Sequence, residues 1–174
     1  MISLVEAMKT STEDLPQIYC DMDQVLCDFI KGADVAVGGS FVTYDKATRW
    51  QKIVDSGSKF WSDLEWMPGG KKLYQFIGRY NPKILSAYSD KMAADSKKGK
   101  LEWLRKNTRI KKSDTNLVLR DQKKRFAVSS DGKPNILIDD YAKNIQEWEA
   151  AGGIGITHFR TEVTIQQLKK LGFK

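Results

Sequence analysis

The chain has 174 residues, of which 41% are hydrophobic, 29% charged and 10% aromatic, and this composition predicts one compact domain with room for a small insert. Thirteen Gly, four Pro and the lack of any apolar run of roughly 18 to 20 residues exclude low-complexity, collagen-like and membrane-spanning classes. Two cysteines and one histidine disfavour a disulfide framework, a Cys/His zinc site and a Ser-His-Asp triad. Residues 1–16 do not resemble a secretion signal, so we expect a soluble, cytoplasmic protein with reduced thiols.

The net charge of +7 is concentrated in one segment. Residues 91–125 contain thirteen Lys or Arg and four Asp or Glu, so the rest of the chain is slightly acidic. A basic field of this kind attracts phosphate-bearing ligands, from nucleotides to nucleic acid. The alternative is a solvated helix face, which the amphipathic pattern of residues 95–108 favours for most of these lysines.

Taken in chain order, short apolar runs alternate with stretches of helical periodicity. The predicted strands are 17–20, 83–85, 116–119, 135–138 and an edge strand at 155–157. The predicted helices of the same pattern are 70–80, 95–108, 143–150 and 164–171. Strands that alternate with helices predict a mainly parallel, Rossmann-like sheet in a three-layer α/β sandwich. Ligands bind such sheets beyond the carboxyl ends of the strands, where polar residues follow the first four predicted strands.

One long segment, residues 31–68, interrupts the alternation and far exceeds an ordinary connection in length. Helical patterns occur within it at 44–55 and 59–66. We interpret it as a small helical cap inserted after the first strand, into a core domain formed by residues 1–30 and 69–174.

The predicted cap is rich in aromatic residues. They are Phe41, Tyr44, Trp50, Phe60, Trp61 and Trp66. Most of them are expected to pack within the cap, since a small helical unit needs large side chains for its own core. Phe41 and Trp61 are the candidates for contact with a substrate, by stacking on a base or closing over it.

Two pairs of acidic residues follow predicted strands. Asp21 and Asp23 come after the first strand, and alternation along an extended segment directs both carboxylates to one side. Asp139 and Asp140 come after the fourth strand. Paired carboxylates repel each other unless a cation lies between them, so the two pairs predict a hard divalent metal such as Mg²⁺. The alternative for the first pair is capping of a helix that begins near Phe29.

A hydroxyl and two lysines lie between the acid pairs in the chain. Ser86 ends the second predicted strand and can hold a phosphoryl oxygen. Lys123 and Lys124 follow the third strand, and either can neutralise a phosphate and an acidic nucleophile. The distance to Phe126 favours Lys123, and Lys124 stays open as the alternative.

These motifs follow one another in a set order: an acid pair, a strand-end hydroxyl, a lysine and an acid pair, each after its own strand. They are Asp21-Met22-Asp23-Gln24-Val25, Ile84-Leu85-Ser86, Lys123 and Ile138-Asp139-Asp140. The order resembles that of the haloacid-dehalogenase-like phosphohydrolase superfamily, over residues 18–158 of the chain. Within that superfamily the chain is most similar to the 5′(3′)-deoxyribonucleotidases, through Phe60-Trp61, residues 67–70 and residues 137–156.

The resemblance implies a role for each motif residue. Asp21 would be the nucleophile that takes the phosphoryl group, and Asp23 the acid that protonates the leaving alkoxide and then activates water. Ser86 and Lys123 would bind the phosphoryl group. The Mg²⁺ ligands implied by the resemblance are the Asp21 side chain, the Asp23 main-chain carbonyl and Asp140, with Asp139 in support.

These roles predict a Mg²⁺-dependent phosphomonoesterase that dephosphorylates deoxyribonucleoside monophosphates through an aspartyl phosphate. One alternative is a phosphatase of other small phosphate esters or of nucleic-acid 3′ ends, which the basic segment would attract. Another is a non-catalytic nucleic-acid-binding domain, although the intact acid pairs favour an enzyme. A small nucleotide is the expected partner and no membrane partner is expected; base, phosphate position and oligomeric state stay open.

Overall fold

The computed structural model describes residues 15–174. Residues 1–14, which belong to the predicted core domain and to the stretch that we compared with a secretion signal, lie outside the described residues. The strands are β1 (Ile18–Cys20), β2 (Lys83–Ala87), β3 (Thr115–Val118), β4 (Ile136–Asp139) and β5 (Ile154–Thr157). They form one sheet in the order β3-β2-β1-β4-β5, and every neighbouring pair is parallel. The predicted α/β fold class is confirmed, with β5 at an edge of the sheet.

Helices cover both faces of the sheet. They are α1 (Phe29–Val37), α2 (Lys46–Asp55), α3 (Gly57–Ser62), α4 (Gly70–Ile77), α5 (Ala93–Asn107), α6 (Ala142–Ala150) and α7 (Thr161–Lys170). A 3₁₀ segment, Arg120–Phe126, follows β3. The helices α4, α5 and α7 pack on one face, and α6 with the 3₁₀ segment packs on the other. Within residues 15–174 none of these helices combines the length and the apolar composition of a transmembrane helix.

The central strand β1 is buried at every position. Ile18 and Cys20 pack in the same cluster as Leu73 of α4 and Leu104 of α5, whereas Tyr19 packs with α6. Successive side chains of a strand point to opposite faces, and here both faces are covered by helices. This is why the sequence shows continuous apolar runs instead of alternating polar and apolar residues.

The register of the sheet aligns the carboxyl ends of three strands. Cys20 of β1 pairs with Ile84 of β2 and with Ile138 of β4. The residues that follow these three positions therefore lie at the same edge of the sheet, where open α/β sheets bind their ligands. Those residues include all the acids of the two predicted pairs and Ser86.

Several element boundaries differ from the predicted ones. β2 continues to Ala87, because Ser86 and Ala87 pair with β3, so Ser86 lies inside the strand. α3 ends at Ser62 instead of residue 66, because the chain there forms an antiparallel bridge between Trp66 and Cys27. α5 begins two residues and α7 three residues earlier than predicted, and α4 ends three residues earlier. Local periodicity does not contain the long-range pairing that sets such boundaries.

The helices between β1 and β2 share an aromatic cluster. The ring of Phe29 lies 5.5–6.2 Å, centroid to centroid, from the rings of Phe41, Trp50, Phe60 and Trp61. This helical layer contacts the rest of the molecule where α3 packs against α5. At Gly99 of α5, a Cβ would overlap the Ser58 carbonyl oxygen and the Trp61 Cβ, so only glycine allows this close approach.

Candidate active site

The chain turns sharply directly after β1. The Met22 carbonyl accepts a hydrogen bond from the Leu26 N–H at 2.8 Å, and Gln24 adopts a left-handed conformation with a φ of 60°. The Asp21 N–H donates to the Ile138 carbonyl of β4 at 2.9 Å, and Asp21 Oδ1 accepts from the Met22 N–H at 2.8 Å. The buried Asp21 carboxylate is therefore held at the edge of the sheet by backbone contacts on both sides.

Neither acid of the first pair caps α1. The side chain of Asp28 accepts from the Lys31 N–H at 3.1 Å, and Gln24 Oε1 accepts from the Ile30 N–H at 3.0 Å. These two side chains satisfy N–H groups of the first turn of α1. The helix-capping alternative for Asp21 and Asp23 is thus wrong.

Lys123 lies between Asp21 and Asp139. Its Nζ is 3.1 Å from Asp21 Oδ2 and 2.7 Å from Asp139 Oδ2. Lys123 is only 2% exposed, whereas Lys124 points to solvent. Burial by itself lowers the pKa of Lys123, but the two carboxylates outweigh it, so the pKa is raised and the side chain stays an ammonium. Of the two neighbouring lysines, Lys123 is the one in contact with the acids.

Both oxygens of Asp139 have protein donors. Oδ2 accepts from Lys123 and from the Asn144 amide at 2.9 Å, and Oδ1 accepts from the Tyr141 N–H at 2.9 Å. Burial and the neighbouring Asp21 raise the pKa of this carboxyl. A carboxylate with this many donors is suited to holding Lys123 in place.

Asp140 completes a cluster of three carboxylates. Ligand atoms of Asp21, Asp139 and Asp140 all lie within 4.8 Å of one another. Asp140 is half-buried, and burial together with the charges of the other two acids raises its pKa to about 7. The donor set is made entirely of oxygen, as a hard divalent cation such as Mg²⁺ requires. The arrangement therefore fits such an ion, which would relieve the repulsion that raises this pKa.

Asp23 turns away from this cluster toward a second buried lysine. Its Oδ2 is 2.7 Å from Nζ of Lys100, and the same Nζ donates to Ser86 Oγ at 2.8 Å. Asp23 Oδ1 is buried and has no hydrogen-bond partner within the described part of the chain. Burial raises the pKa of Asp23, although Lys100 opposes the effect. The site thus contains four carboxyl groups and two lysine side chains, and one divalent cation would offset the excess of acidic groups.

Lys100 is the site residue that the sequence interpretation missed. The amphipathic pattern predicts a solvated face for most lysines of this helix, yet Lys100 is 1% exposed. A signal was present: Ser96, Trp103 and Leu104 stand at positions i−4, i+3 and i+4 from Lys100, and all three are buried. A lysine in the middle of the apolar face of a helix is a candidate for a buried ion pair.

The two aromatic candidates of the cap are both buried. Phe41 packs edge-on against Phe29 at 5.7 Å, and the Arg49 guanidinium lies 4.7 Å from the centre of its ring. Trp61 adjoins the site, because Nζ of Lys100 lies 5.0 Å from the centre of its ring. Both rings are covered by protein in this conformation, so stacking on a base requires movement of the cap, and their contact with substrate stays a prediction.

Comparison with protein-family models finds no match to this chain, and comparison with curated protein sequences finds none. Solved structures do match. A hydrolase from Streptococcus pneumoniae TIGR4 aligns with a TM-score of 0.58 at 12% identity, over 90% of this chain and 98% of that chain. For the L-2-haloacid dehalogenase from Xanthobacter autotrophicus with chloropropionic acid covalently bound, the TM-score is 0.48 at 10% identity, over 92% and 84%. The similarity to the Streptococcus hydrolase shows that the two chains share a fold.

Proposed function

We propose that the protein is a Mg²⁺-dependent phosphomonoesterase that acts through an aspartyl phosphate on Asp21. One observation carries the proposal: a buried carboxylate at the sheet edge lies 3.1 Å from a buried ammonium, beside a cluster of acids. An anionic nucleophile that attacks an anionic phosphoryl group needs positive charge on both sides. Lys123 supplies it from the protein, and the acids supply the ligands for a cation.

The reaction divides into two displacements. In the first, an Asp21 oxygen forms a bond to phosphorus while the bond from phosphorus to the ester oxygen breaks, and Asp23 gives its proton to the departing oxygen. In the second, water attacks the phosphorus, its proton passes to Asp23, and the bond to Asp21 breaks, which releases phosphate. A covalent intermediate of this kind replaces one difficult step by two easier ones, and a single carboxyl serves both proton transfers.

Each remaining site residue has a function in this scheme. The Ser86 hydroxyl and the Lys123 ammonium would bind phosphoryl oxygens. The Asp21 side chain, the Asp140 side chain and the Asp23 main-chain carbonyl would hold Mg²⁺. When bound, this ion offsets the charge that develops on the phosphoryl oxygens. Asp139 keeps Lys123 in place through their 2.7 Å contact.

Deoxyribonucleoside monophosphates are the proposed substrates. Two features support this choice. One is the similarity of the sequence motifs to the 5′(3′)-deoxyribonucleotidases, and the other is the aromatic ring of Trp61, which lies beside Lys100, the partner of Asp23. An aromatic ring close to the phosphoryl site could bind the nucleoside once the cap moves.

The test is a screen of nucleoside monophosphates, with Mg²⁺, against wild type and Asp21→Asn. We expect phosphate release from the deoxyribonucleotides by wild type and a loss of about 10⁴-fold or more in the variant. Asp55→Asn, an exposed substitution at the end of α2, is the matched control and should keep full activity. Activity retained by Asp21→Asn would remove the nucleophile assignment.

A second candidate substrate is a nucleic-acid 3′ phosphate. It is favoured by the exposed lysines and arginines of the basic segment, among them Lys91, Arg109, Lys111 and Lys112. Faster hydrolysis of a 3′-phosphorylated oligonucleotide than of dTMP, with a strong dependence on salt, would support it. Salt-sensitive DNA binding without any turnover would instead indicate a binding domain.

A further inference from the structure

We propose that Lys100 is a positioning residue that fixes the proton-transferring oxygen of Asp23 and the hydroxyl of Ser86, and so governs the expulsion of poor leaving groups. The inference rests on the proposed phosphomonoesterase function and deepens it. It assigns separate duties to the two buried lysines of the site. Lys123 faces the nucleophile, and Lys100 faces the acid that handles the proton.

The chemistry of an ammonium group determines how Ser86 is oriented. The Lys100 Nζ has N–H donors and no acceptor, so at 2.8 Å the Ser86 oxygen must accept. The Ser86 hydroxyl proton is therefore directed away from Lys100. It remains available to donate to another acceptor at the carboxyl edge of the sheet, where the phosphoryl group would lie.

The same ammonium distinguishes the two oxygens of Asp23. Oδ2 is held by Lys100 at 2.7 Å, and the buried Oδ1 has no partner among the described residues. The terminal torsion of an Asp side chain is broad, so an unrestrained carboxyl would exchange its two oxygens. Lys100 prevents this exchange, and Oδ1 becomes the oxygen that delivers and recovers the proton.

Lys100 is itself held by the packing of α5 against α3. Gly99 brings the two helices into close contact, and Trp103 Nε1 donates to the Leu64 carbonyl at 2.7 Å. The Trp61 ring lies against the ammonium, with its centre 5.0 Å from Nζ, which stabilises the positive charge. A lysine fixed on all sides loses little further freedom when substrate binds, so it can set geometry accurately.

A positioning role in proton transfer has a specific kinetic signature. p-Nitrophenolate is a stable anion that leaves without a proton, whereas the deoxyribose alkoxide of dTMP needs one. A change that affects only the proton-transferring oxygen should slow the first displacement for dTMP and largely spare it for p-nitrophenyl phosphate. The second displacement, in which Asp23 takes a proton from water, is common to the two esters, so the comparison is made on the release of the leaving group. A purely structural defect should slow both esters by the same factor, because both use the same nucleophile and cation site.

The experiment compares the single-turnover rate of leaving-group release, and KM, for the two esters in wild type, Lys100→Met and Lys98→Met, with Mg²⁺. Lys98 is an exposed lysine of the same helix and is the matched control. For Lys100→Met we expect the release of thymidine from dTMP to slow about 100-fold, the release of p-nitrophenolate to slow less than about 10-fold, and KM to change little. Asp23→Asn should show the same selective loss.

Equal losses on the two esters, or no loss on either, would overturn the assignment to Lys100. If Lys100→Met does not fold, Lys100→Gln, which removes the charge and keeps a donor near Asp23, is measured by the same ratio of the two release rates. Failure of wild type to hydrolyse either ester would overturn the proposed function itself. The two failures are therefore distinguishable in one set of assays.

Discussion

Two buried lysines contact the acidic residues of the candidate site, and they are held in different ways. Lys123 comes from the 3₁₀ segment after β3 and contacts two acids, both anchored to strands of the central sheet. Lys100 comes from α5 and contacts one acid, one hydroxyl and an aromatic ring of the helical layer. The Lys123 side, formed by Lys123, Asp21 and Asp139, is anchored to the sheet and to the 3₁₀ segment and α6 that pack on one of its faces. The Lys100 side, formed by Lys100, Asp23 and Ser86, depends on a contact between helices.

This difference indicates different tasks for the two lysines: Lys123 compensates the charge of two carboxylates, and Lys100 orients the side chains of Asp23 and Ser86. Two carboxylates on one ammonium make the Lys123 side an electrostatic unit, whose loss leaves buried charge without a partner. The Lys100 side can change with the position of the helical layer, because Trp61 of α3 belongs to it. Changes to α3 and α5 should therefore affect proton transfer before they affect the nucleophile.

The largest expected effect comes from Lys123→Met. This change leaves Asp21 and Asp139 buried without their shared cation, so we expect the free energy of unfolding to fall by about 3 to 5 kcal/mol. We also expect kcat to fall about 100-fold or more on every ester, because the group that faces the nucleophile is lost. Urea unfolding and phosphate release measure the two effects.

The matched control for this prediction is the exposed neighbour, Lys124→Met, which should change stability by less than about 0.5 kcal/mol and leave kcat unchanged. A loss of activity in Lys124→Met with full activity in Lys123→Met would reverse the assignment of the active-site lysine.

The next effect tests the Lys100 side through its packing. Gly99→Ala places a methyl group against the Ser58 carbonyl oxygen and Trp61, so α3 and α5 must separate. We expect a loss of about 1 to 3 kcal/mol in the free energy of unfolding, typical of overpacking, and a larger fall in the single-turnover rate of leaving-group release for dTMP than for p-nitrophenyl phosphate. Gly78→Ala is the control, since its Cβ would make only an ordinary contact, 3.8 Å from Tyr74.

If Gly99→Ala is as stable and as active as wild type, the dependence of the Lys100 side on helix packing is contradicted.

A smaller effect is expected from Asn144→Ala, which removes one donor to Asp139 Oδ2 on the Lys123 side. Lys123 remains, so we expect a loss of about 1 to 2 kcal/mol in stability and about 10-fold in kcat. Gln146→Ala, an exposed change on the same helix, should alter neither quantity. A loss that spares p-nitrophenyl phosphate would contradict the division of duties, because Asn144 lies on the side of the nucleophile.

The smallest effect is expected at His158. Its backbone N–H donates to the backbone carbonyl of Asp139 at 2.9 Å, so it adjoins the Lys123 side. Burial lowers the pKa of His158 below its usual 6.5, so the unfolded chain takes up this proton first. The stability that the neutral His158 side chain contributes is complete above pH 6.5. It is lost as the pH falls through the lowered pKa of His158 in the folded chain. His158→Asn should therefore lose less stability than wild type between pH 7.5 and 5.5.

Urea unfolding at the two pH values measures this difference, and the variant is needed because other groups titrate in the same window. The raised pKa values of Asp139 and Asp140 act in the opposite direction, since the folded chain binds those protons first. An identical pH dependence in His158→Asn and wild type would contradict the prediction.

The fold was predictable because its signals are local. The strands β1, β2 and β4 are short apolar runs, and a polar residue stands close to the end of each: Asp21, Ser86 and Asp139. These residues lie at the edge where open α/β sheets bind their ligands. The boundaries were less predictable, as the extension of β2 to Ala87 illustrates. That extension depends on pairing with β3, whose residues lie about thirty positions further along the chain.

The two lysines of the site show the same contrast between what the local sequence predicts and what depends on distant parts of the chain. Lys123 follows a strand and could be found by counting along the chain, although only burial separates it from Lys124. Lys100 belongs to a helix with many lysines, and its partners Asp23 and Ser86 are 77 and 14 positions away. Its place on the apolar face was visible in the helical periodicity, but the partners that permit its burial were not.

By itself the sequence determined the order of strands and helices, the parallel sheet and the edge at which the acids gather, because these depend on residue pattern and on the handedness of short connections. Only the tertiary structure decided which charges meet. Asp139 is held by Lys123 and Asn144, and Asp23 is turned to Lys100. A buried charge is tolerated only where a partner from a distant part of the chain lies within a few ångströms, and such distances are set by packing.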